Sequence, residues 1–156
     1  MEGQAEFKHD MLEALAGIIK TYHLAVADTN NHGILLVGKD FGVEMGFERE
    51  GIGLVYFDLR PPPNRHRYSL GHFLVQVRRV PHPPSVWSQG EGSLLNFWRH
   101  EMPWVVDTLQ RHAQDILSGD RAWQADYPYK PHVATDAMYK EALETMERER
   151  KACHLT

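Results

Sequence analysis

The residues best suited to bind an anion lie together in the stretch RPPPNRHRY, residues 60–68. Arginine guanidinium groups form paired hydrogen bonds with carboxylates and with phosphates. The stretch therefore predicts contact with an acidic partner without specifying its chemistry. Tryptophan, tyrosine and arginine are also the side chains that most often anchor protein interfaces. The predicted partner-binding residues are Arg60, Arg65, His66, Arg67, Tyr68 and Trp87.

The same stretch can be interpreted as a rigid connector between two strands. Pro61, Pro62 and Pro63 remove three amide donors and fix the backbone, so residues 60–68 are not expected to continue a sheet. A stiff polyproline segment also keeps neighbouring strand edges from pairing with other chains. A connector and an arginine-bearing contact surface are therefore alternative interpretations of this stretch.

Motifs for catalysis or metal binding are missing from the sequence. The ten histidines show neither the His-Glu-x-x-His motif nor the Cys/His spacing of zinc sites. No serine lies in a Gly-x-Ser-x-Gly turn, and the single cysteine, Cys153, has no second cysteine for an internal disulfide. We therefore predict no catalytic residues, no metal site and no cofactor, in a protein that is not an enzyme.

Charge is unevenly distributed along the 156 residues, which carry a formal net charge of −4. Residues 1–58 hold ten acidic and four basic side chains, and residues 59–82 hold five arginines and no acid. Residues 83–156 hold eleven acidic and eight basic side chains. An acidic chain is a poor general nucleic-acid binder, since phosphate contacts supply most of that affinity. The composition therefore disfavours a nucleic-acid partner.

The sequence shows no sign of export or membrane insertion. No apolar run approaches the roughly 18 residues needed to cross a bilayer. The opening MEGQAEFKHDM is acidic, where a secretion signal is basic and then apolar. A single cysteine also fits a reducing compartment. We therefore predict a cytoplasmic location and no membrane partner.

Two kinds of hydrophobic periodicity must position these side chains. Residues 4–22 place apolar side chains three and four positions apart, which predicts an amphipathic helix with one face on the core. Several short runs with turn residues between them then predict strands. Short links favour antiparallel hairpins, because a parallel pair needs a long crossover. The predicted strands are residues 24–29, 34–39, 41–48, 52–59 and 69–80.

The second half of the chain has helical spacing. Ser93 is a candidate cap for a short helix that Pro103 interrupts or restarts, and a second helix is expected to end at Gly119. Residues 120–133 are predicted to form a loop. Thr135 is then the predicted cap of a last, mostly charged helix.

A helix, an antiparallel sheet and then further helices define an α+β fold. We expect an N-terminal helix packed on an antiparallel sheet of four to five strands, followed by C-terminal helices. A length of 156 residues suits one core, so residues 1–156 are predicted to form a single domain.

Three segments resemble the small cytoplasmic immunity proteins encoded next to bacterial polymorphic and secreted antibacterial toxins. They are the opening amphipathic helix, the hairpin run through 52-IGLVYFDL-59 and the segment 104-WVVDTLQRHAQDILSGDRAWQADY-127. The resemblance implies a protein that binds a cognate toxin domain and neutralises it. It implies no particular contact residues, because immunity families bind their toxins through different surfaces.

The predicted function is a non-enzymatic protein-binding module, an immunity protein that blocks a bacterial toxin by direct contact. Either the acidic segments or the arginine-bearing stretch could face a toxin patch of opposite charge, and the sequence leaves both open. The alternative is a small enzyme or ligand-binding domain with a pocket between sheet and helices. A deep polar cleft with converging Asp, His and Arg side chains would favour that alternative.

Overall fold

The computed structural model describes residues 3–27, 32–83, 93–133 and 137–155, and six strands in this part of the chain form one antiparallel sheet. Their order across the sheet follows their order in sequence. The strands are β1 Ala25–Val26, β2 Gly33–Gly38, β3 Phe41–Glu48, β4 Gly51–Asp58, β5 His66–Ser69 and β6 His132–Val133. The α+β prediction is confirmed, with six strands where four to five were expected.

Helices precede and follow the sheet strands in the described ranges. The α-helices are α1 Gln4–Ala14, α2 Ala16–Thr21, α3 Leu70–Gln76, α4 Ser93–His112, α5 Gln114–Leu117 and α6 Ala137–Leu155. A 3₁₀ helix spans Ala122–Asp126. The predicted opening helix is present but divided, because Leu15 separates α1 from α2. Within the described ranges, every helix is too short or too polar to cross a membrane.

Two-residue turns join β2 to β3 at residues 39–40 and β3 to β4 at residues 49–50. The two longest strands, β3 and β4, therefore pair with each other along their whole length. β5 is much shorter than β4 and pairs with its second half at Val55–Ser69, Tyr56–Tyr68 and Phe57–Arg67. Among the described residues, the first half of β4 consequently has no strand on that side.

Helices cover both faces of the sheet. The first five α-helices pack on one face, and α6 packs on the other. In β2, Ile34 and Leu36 join the first core, Leu35 and Val37 join the second, and all four are buried. The uninterrupted apolar run of β2 is thus the sequence signal of a strand buried on both faces.

Aromatic side chains join α1 and α4 to the first face of the sheet. The ring of Phe7 in α1 lies 4.9 Å from that of Phe47 in β3 and 5.7 Å from that of Trp98 in α4. The indole Nε1 of Trp98 donates to the backbone oxygen of Glu48 at 2.7 Å. The N-terminal helix therefore packs on the sheet, as predicted.

The narrow apolar face of α6 packs on the second face of the sheet. Tyr139, Ala142 and Met146 are buried there, and the Tyr139 ring lies 5.8 Å from that of Phe57. A Cβ atom on Gly42 would lie 3.5 Å from that of Ala142, so two small residues let helix and strand approach closely. The mostly charged helix expected from the sequence is therefore part of the core on one side.

The prediction of a strand at residues 69–80 is wrong. β5 ends at Ser69, and α3 begins at the next residue. The buried side chains Leu70, Phe73 and Leu74 recur three and four residues apart, which is the helical period. The strand prediction relied too heavily on the valines at alternate positions of this segment.

The two segments predicted to be loops, residues 60–68 and 120–133, contain more regular secondary structure than expected. β5 begins at His66, so the stretch 60–68 does rejoin the sheet after its prolines. The predicted loop 120–133 contains the 3₁₀ helix and β6. The two segments meet in the fold, because β5 pairs with β6 and the rings of Tyr68 and Trp123 pack 5.2 Å apart in the core. Contacts between segments so distant in sequence are not visible in local patterns.

Pro103 does not interrupt α4. The proline lies on the exposed side of the helix, while Glu101 and Val105 on either side of it are buried. Packing of this buried face offsets the backbone hydrogen bond that proline cannot make. Gly119 has a φ of 92° just after α5, as expected for a helix-ending glycine. Thr135, the predicted cap, lies outside the described residues.

Candidate functional site

Arg60, the first predicted contact residue, is held against the fold by Asp58. Asp58 ends β4 and is fully buried, and its Oδ2 accepts a hydrogen bond from Nη2 of Arg60 at 2.7 Å. The Nε atom of Arg60 donates to Oδ1 at 3.0 Å. Gln124 donates to Oδ2 at 3.1 Å, and Nε of Arg121 lies 3.4 Å from that atom. Arg60 therefore ties the proline stretch to the sheet.

These contacts decide the protonation of Asp58. Burial alone would raise the pKa of its carboxyl group, but hydrogen bonds from Arg60 and Gln124 outweigh it. The pKa of Asp58 consequently lies below its ordinary value. A carboxylate that stays charged between two guanidinium groups suits a structural clamp and not a general acid.

The other residues of the predicted contact set have different environments. Nε of Arg65 donates to a backbone oxygen of the same stretch at 3.3 Å, and His66 lies in the short pairing with β6. Tyr68 is buried, with its ring against that of Trp123. Trp87 lies outside the described residues. The set as a whole therefore does not form one exposed surface, since Tyr68 is buried and Arg60 is held by Asp58.

Arg78, in the same basic part of the sequence, also forms an internal ion pair. Its Nη1 and Nη2 atoms donate to the carboxylate of Asp115 at 2.7 and 2.6 Å, and Nη1 also reaches the backbone oxygen of His112 at 2.6 Å. The hydrogen bond from Arg78 lowers the pKa of Asp115. Arg60 and Arg78 therefore both form ion pairs within the fold.

Arg67 lines an open groove with a volume of about 920 Å³ beside the first half of β4. Residues 52–55 of β4 form its floor, and α3, Trp104 of α4 and parts of the segment 127–132 form its walls. The basic side chains of the lining are Arg67, His72, His82, Lys130 and His132, and the acidic one is Glu48. The groove therefore carries more positive than negative groups.

Strand pairing assembles one end of this groove, the basic end, from Arg67, Lys130 and His132. Arg67 of β5 is the cross-strand partner of His132 of β6, so their side chains lie on the same face with Cβ atoms about 5 Å apart. Lys130 comes two residues before His132 and lines the same groove. Three side chains that bind anions are thus collected at one place.

Hydrogen bonds fix the wall that carries Lys130. The backbone N–H of Ser69 donates to the hydroxyl oxygen of Tyr127 at 2.9 Å, which ties the wall to β5. The hydroxyl of Tyr129 donates to the side-chain oxygen of Gln76 in α3. Tyr129 remains 47% exposed, so part of its ring faces the groove and solvent.

The opposite end, the aromatic end, consists of Trp104 and His82. Nε1 of Trp104 donates to the backbone oxygen of Pro81 at 2.6 Å, and the two rings lie 4.6 Å apart. Nε2 of His82 lies 4.0 Å from Oε1 of Glu101. Glu101 is buried, and its Oε2 accepts the backbone N–H of Ile52 at 2.9 Å. Glu101 therefore satisfies an amide that sheet pairing leaves open.

Sequence reasoning missed most of the groove. Arg67 was in the predicted set, but its neighbours His72, His82, Lys130 and His132 come from three other segments. Their only local signal is a concentration of aromatic, basic and proline residues in 127-YPYKPH-132. The groove results from the tertiary fold, which no single segment specifies.

Neither metal-ligand geometry nor similarity to known proteins identifies the function of this site. Within the described ranges, no group of three or more His, Cys, Asp or Glu side chains is placed to hold a metal ion. Comparison with known proteins finds no family model, no curated protein and no solved structure that matches the chain. Its function must therefore be argued from the groove itself.

Proposed function

We propose that this chain is a non-enzymatic, cytoplasmic protein-binding module that neutralises a cognate bacterial toxin by direct contact. The observation that carries the proposal is the groove, because it combines basic side chains with partly exposed aromatic ones. That combination is typical of the residues that anchor protein interfaces. The kind of partner is taken from the likeness of three sequence segments to immunity proteins.

The groove, and not the proline stretch, is the proposed contact surface. Arg60 is paired with Asp58 and Tyr68 is buried, so the stretch would have to break contacts of the fold to reach a partner. Arg67 belongs to both the stretch and the groove. Arg67 is therefore the member of the predicted set that we include in the proposed contact surface.

A positively charged groove favours a particular kind of toxin surface. Complementary charge steers two proteins together and fixes their relative orientation. Of the two possibilities left open by the sequence, the groove supports a partner that presents carboxylates to basic side chains of this protein.

The proposal can be tested with the product of the reading frame next to the gene that encodes this chain. We expect isothermal titration calorimetry to show a stoichiometric complex that Lys130→Glu weakens ~tenfold or more, because a like charge enters the contact. Lys20→Glu is the matched control, since Lys20 is exposed on α2 and undergoes the same charge change. Absence of a complex, or equal weakening by both substitutions, contradicts the proposal.

A small enzyme or ligand-binding domain is the second candidate. The groove volume of about 920 Å³ is at the upper end of the range, roughly 300–1,000 Å³, that small-molecule sites occupy. Its lining also brings His72, His82 and His132 near a common cavity. A metabolite that is turned over by the purified chain, together with no complex in the calorimetric titration, would favour this candidate.

A further inference from the structure

Residues 80–83, which we call the strap, have no regular secondary structure and carry His82 to the aromatic end of the groove. The backbone N–H of Val80 donates to a backbone oxygen of α3 at 3.1 Å, and Nε1 of Trp104 donates to that of Pro81 at 2.6 Å. The ring of His82 lies 4.6 Å from that of Trp104, and its side chain is 40% exposed. The strap therefore forms part of the groove wall and presents a histidine there.

The surroundings of His82 decide which ring nitrogen carries the proton. Nδ1 lies 2.8 Å from the backbone oxygen of Pro83, and a carbonyl oxygen can only accept a hydrogen bond. Nδ1 is therefore the protonated nitrogen of the neutral ring, which leaves a lone pair on Nε2. Nε2 lies 4.0 Å from Oε1 of Glu101, and a carboxylate oxygen also only accepts. In the neutral ring, two acceptors consequently face each other.

Protonation of the ring reverses this contact. Both nitrogens of an imidazolium carry a proton, so Nε2 of His82 can then donate to the Glu101 carboxylate. Charge-assisted hydrogen bonds of this kind are about 2.7–2.9 Å long, so the strap would move about 1 Å toward α4. Glu101 is ready to accept the bond. Its Oε2 holds the Ile52 amide, and its Oε1 has no hydrogen-bond partner in the part of the chain that the structure describes.

Burial distinguishes this pair from a surface pair of the same two residue types. His9 and Glu13 approach more closely, at 3.1 Å, but their side chains are 71% and 70% exposed, so solvent screens their charges. The Glu101 side chain is only 4% exposed. Charges beside a buried carboxylate are screened less and interact more strongly. A proton on His82 should therefore have a larger structural effect than one on His9.

We infer that the strap is a pH-sensitive device, in which proton uptake by His82 fastens the strap to Glu101 and proton release loosens it. Glu101 and Trp104 are three residues apart on α4, so they hold neighbouring points of the strap. Through Glu101 the strap is also joined to the Ile52 amide of β4. The aromatic end of the groove is therefore held more firmly at low pH than at high pH. This inference goes beyond the proposed function, because it concerns a wall of the groove whatever the groove binds.

Other histidines of the groove must be separated from His82 by experiment. Imidazole groups ordinarily change charge between pH 5 and 8, and His72 of α3 and His132 of β6 also line the groove. Within the described ranges, Glu101 is the carboxylate that lies within 4.0 Å of a His82 nitrogen. The remaining titratable side chains of the lining are those of Glu48, Arg67, Tyr127, Tyr129 and Lys130.

Hydrogen exchange of the Trp104 indole N–H measures the state of the strap, because this proton lies in the bond to Pro81. Exchange is followed by NMR on the chain without a partner and expressed as a protection factor, which corrects for the pH dependence of intrinsic exchange. We expect the protection factor to be ~threefold or more larger at about pH 5.5 than at about pH 8. The amide signal of Ile52 should shift over the same interval, since one carboxylate contacts both groups.

Two substitutions test the pair from its two sides. His82→Gln cannot take up a proton, so the increase in protection at low pH should disappear. In Glu101→Gln the amide oxygen can keep the Ile52 bond while the amide nitrogen donates to the neutral Nε2 of His82, so the increase should disappear or reverse. His9→Gln is the matched control, because it removes an exposed histidine–carboxylate pair and should retain the increase.

Three results would overturn the inference. They are equal protection factors at both pH values in the natural chain, an increase that persists in His82→Gln, and an increase that is lost in His9→Gln. The second would make another histidine, such as His72 or His132, its source. Because the His82 side chain is 40% exposed, His82→Gln is expected to fold and carries the test even where Glu101→Gln does not. No toxin is present, so the result is independent of the proposed function.

Discussion

Asp58 and Arg60 form a bidentate ion pair in which the Asp58 side chain is fully buried and that of Arg60 is 35% exposed. The pair lies where the chain leaves β4 and enters the three prolines. Gln124 and Arg121 reach the same carboxylate from the other side of the fold. One acidic side chain thus joins the sheet, the proline stretch and the segment around the 3₁₀ helix.

Removal of this carboxylate should destabilise the protein strongly. We expect Asp58→Ala to lower the free energy of unfolding by about 3 kcal/mol, because it leaves partly buried guanidinium groups without their counter-ion. Urea denaturation followed by circular dichroism measures the change. Asp107→Ala is the control, since the Asp107–Arg111 pair is exposed and should contribute less than about 0.5 kcal/mol. Similar losses in the two variants would contradict the clamp role of Asp58.

Acid should weaken the fold through the same residue. The pKa values of Asp58 and Asp115 are lowered in the folded state. Such groups contribute stability above the unfolded pKa, roughly 3.9, and lose it as the pH falls through the folded value. We therefore expect their contribution to the unfolding free energy to be constant from pH 7 to about 5 and to decline below about pH 4. Asp58→Asn should make that decline shallower, and an unchanged decline would rule out this linkage.

Removal of the Tyr56 hydroxyl, unlike removal of the Asp58 carboxylate, should not destabilise the protein. Its hydroxyl is buried without a hydrogen-bond partner among the described residues, so Tyr56→Phe should leave stability unchanged or raise it by up to about 1 kcal/mol. Tyr127→Phe is the matched control and should lose about 1 kcal/mol, because its hydroxyl accepts the Ser69 amide. Thermal unfolding of both variants at pH 7 gives the comparison. A larger loss at Tyr56 than at Tyr127 would show that its hydroxyl has an important partner.

The same tyrosine should influence stability at high pH. Burial raises the pKa of Tyr56 above its ordinary value of 10.0. Its contribution is therefore present below the unfolded pKa and is lost as the pH rises through the folded value. Above about pH 10, the stability of the natural chain should fall more steeply than that of Tyr56→Phe. Parallel pH profiles for the two proteins would disprove this contribution.

Gly51 should tolerate no side chain. Its φ is +127°, and a Cβ atom there would lie 2.5 Å from both carboxylate oxygens of Glu101. We expect Gly51→Ala to cost about 2 kcal/mol from backbone strain and displacement of Glu101. Gly17→Ala should instead stabilise the protein by about 0.5–1 kcal/mol, because this helical glycine has open space around its Cα. Chemical denaturation of the two variants should therefore give shifts of opposite sign, and shifts of the same sign would contradict this account.

The sequence was sufficient to predict elements whose pattern is local. β3 and β4 follow an alternating or turn-bounded pattern, and the helical stripe of α1 places Phe7 and Met11 in the core. These segments meet their neighbours through short turns, so local spacing and tertiary contact agree. The same reasoning failed for α3, where helical and strand patterns overlap within seven residues.

The candidate site was less predictable than the fold. Arg60 and Arg67 belong to one arginine-rich stretch, yet one is clamped by Asp58 and the other lines the groove. The difference arises because β5 begins at His66 and pairs with β6, more than sixty residues later in the chain. An isolated sequence does not show which arginine such a pairing will place beside the groove.

The position of α6 has a consequence for how the protein is made. The ribosome synthesises the six described strands before it reaches residues 137–155. Until then, the second face of the sheet, which contains Leu35, Val37 and Phe57, has no helix to cover it. The nascent chain can therefore form this sheet while one apolar face is still open, a state in which chaperone binding and self-association compete with docking of α6.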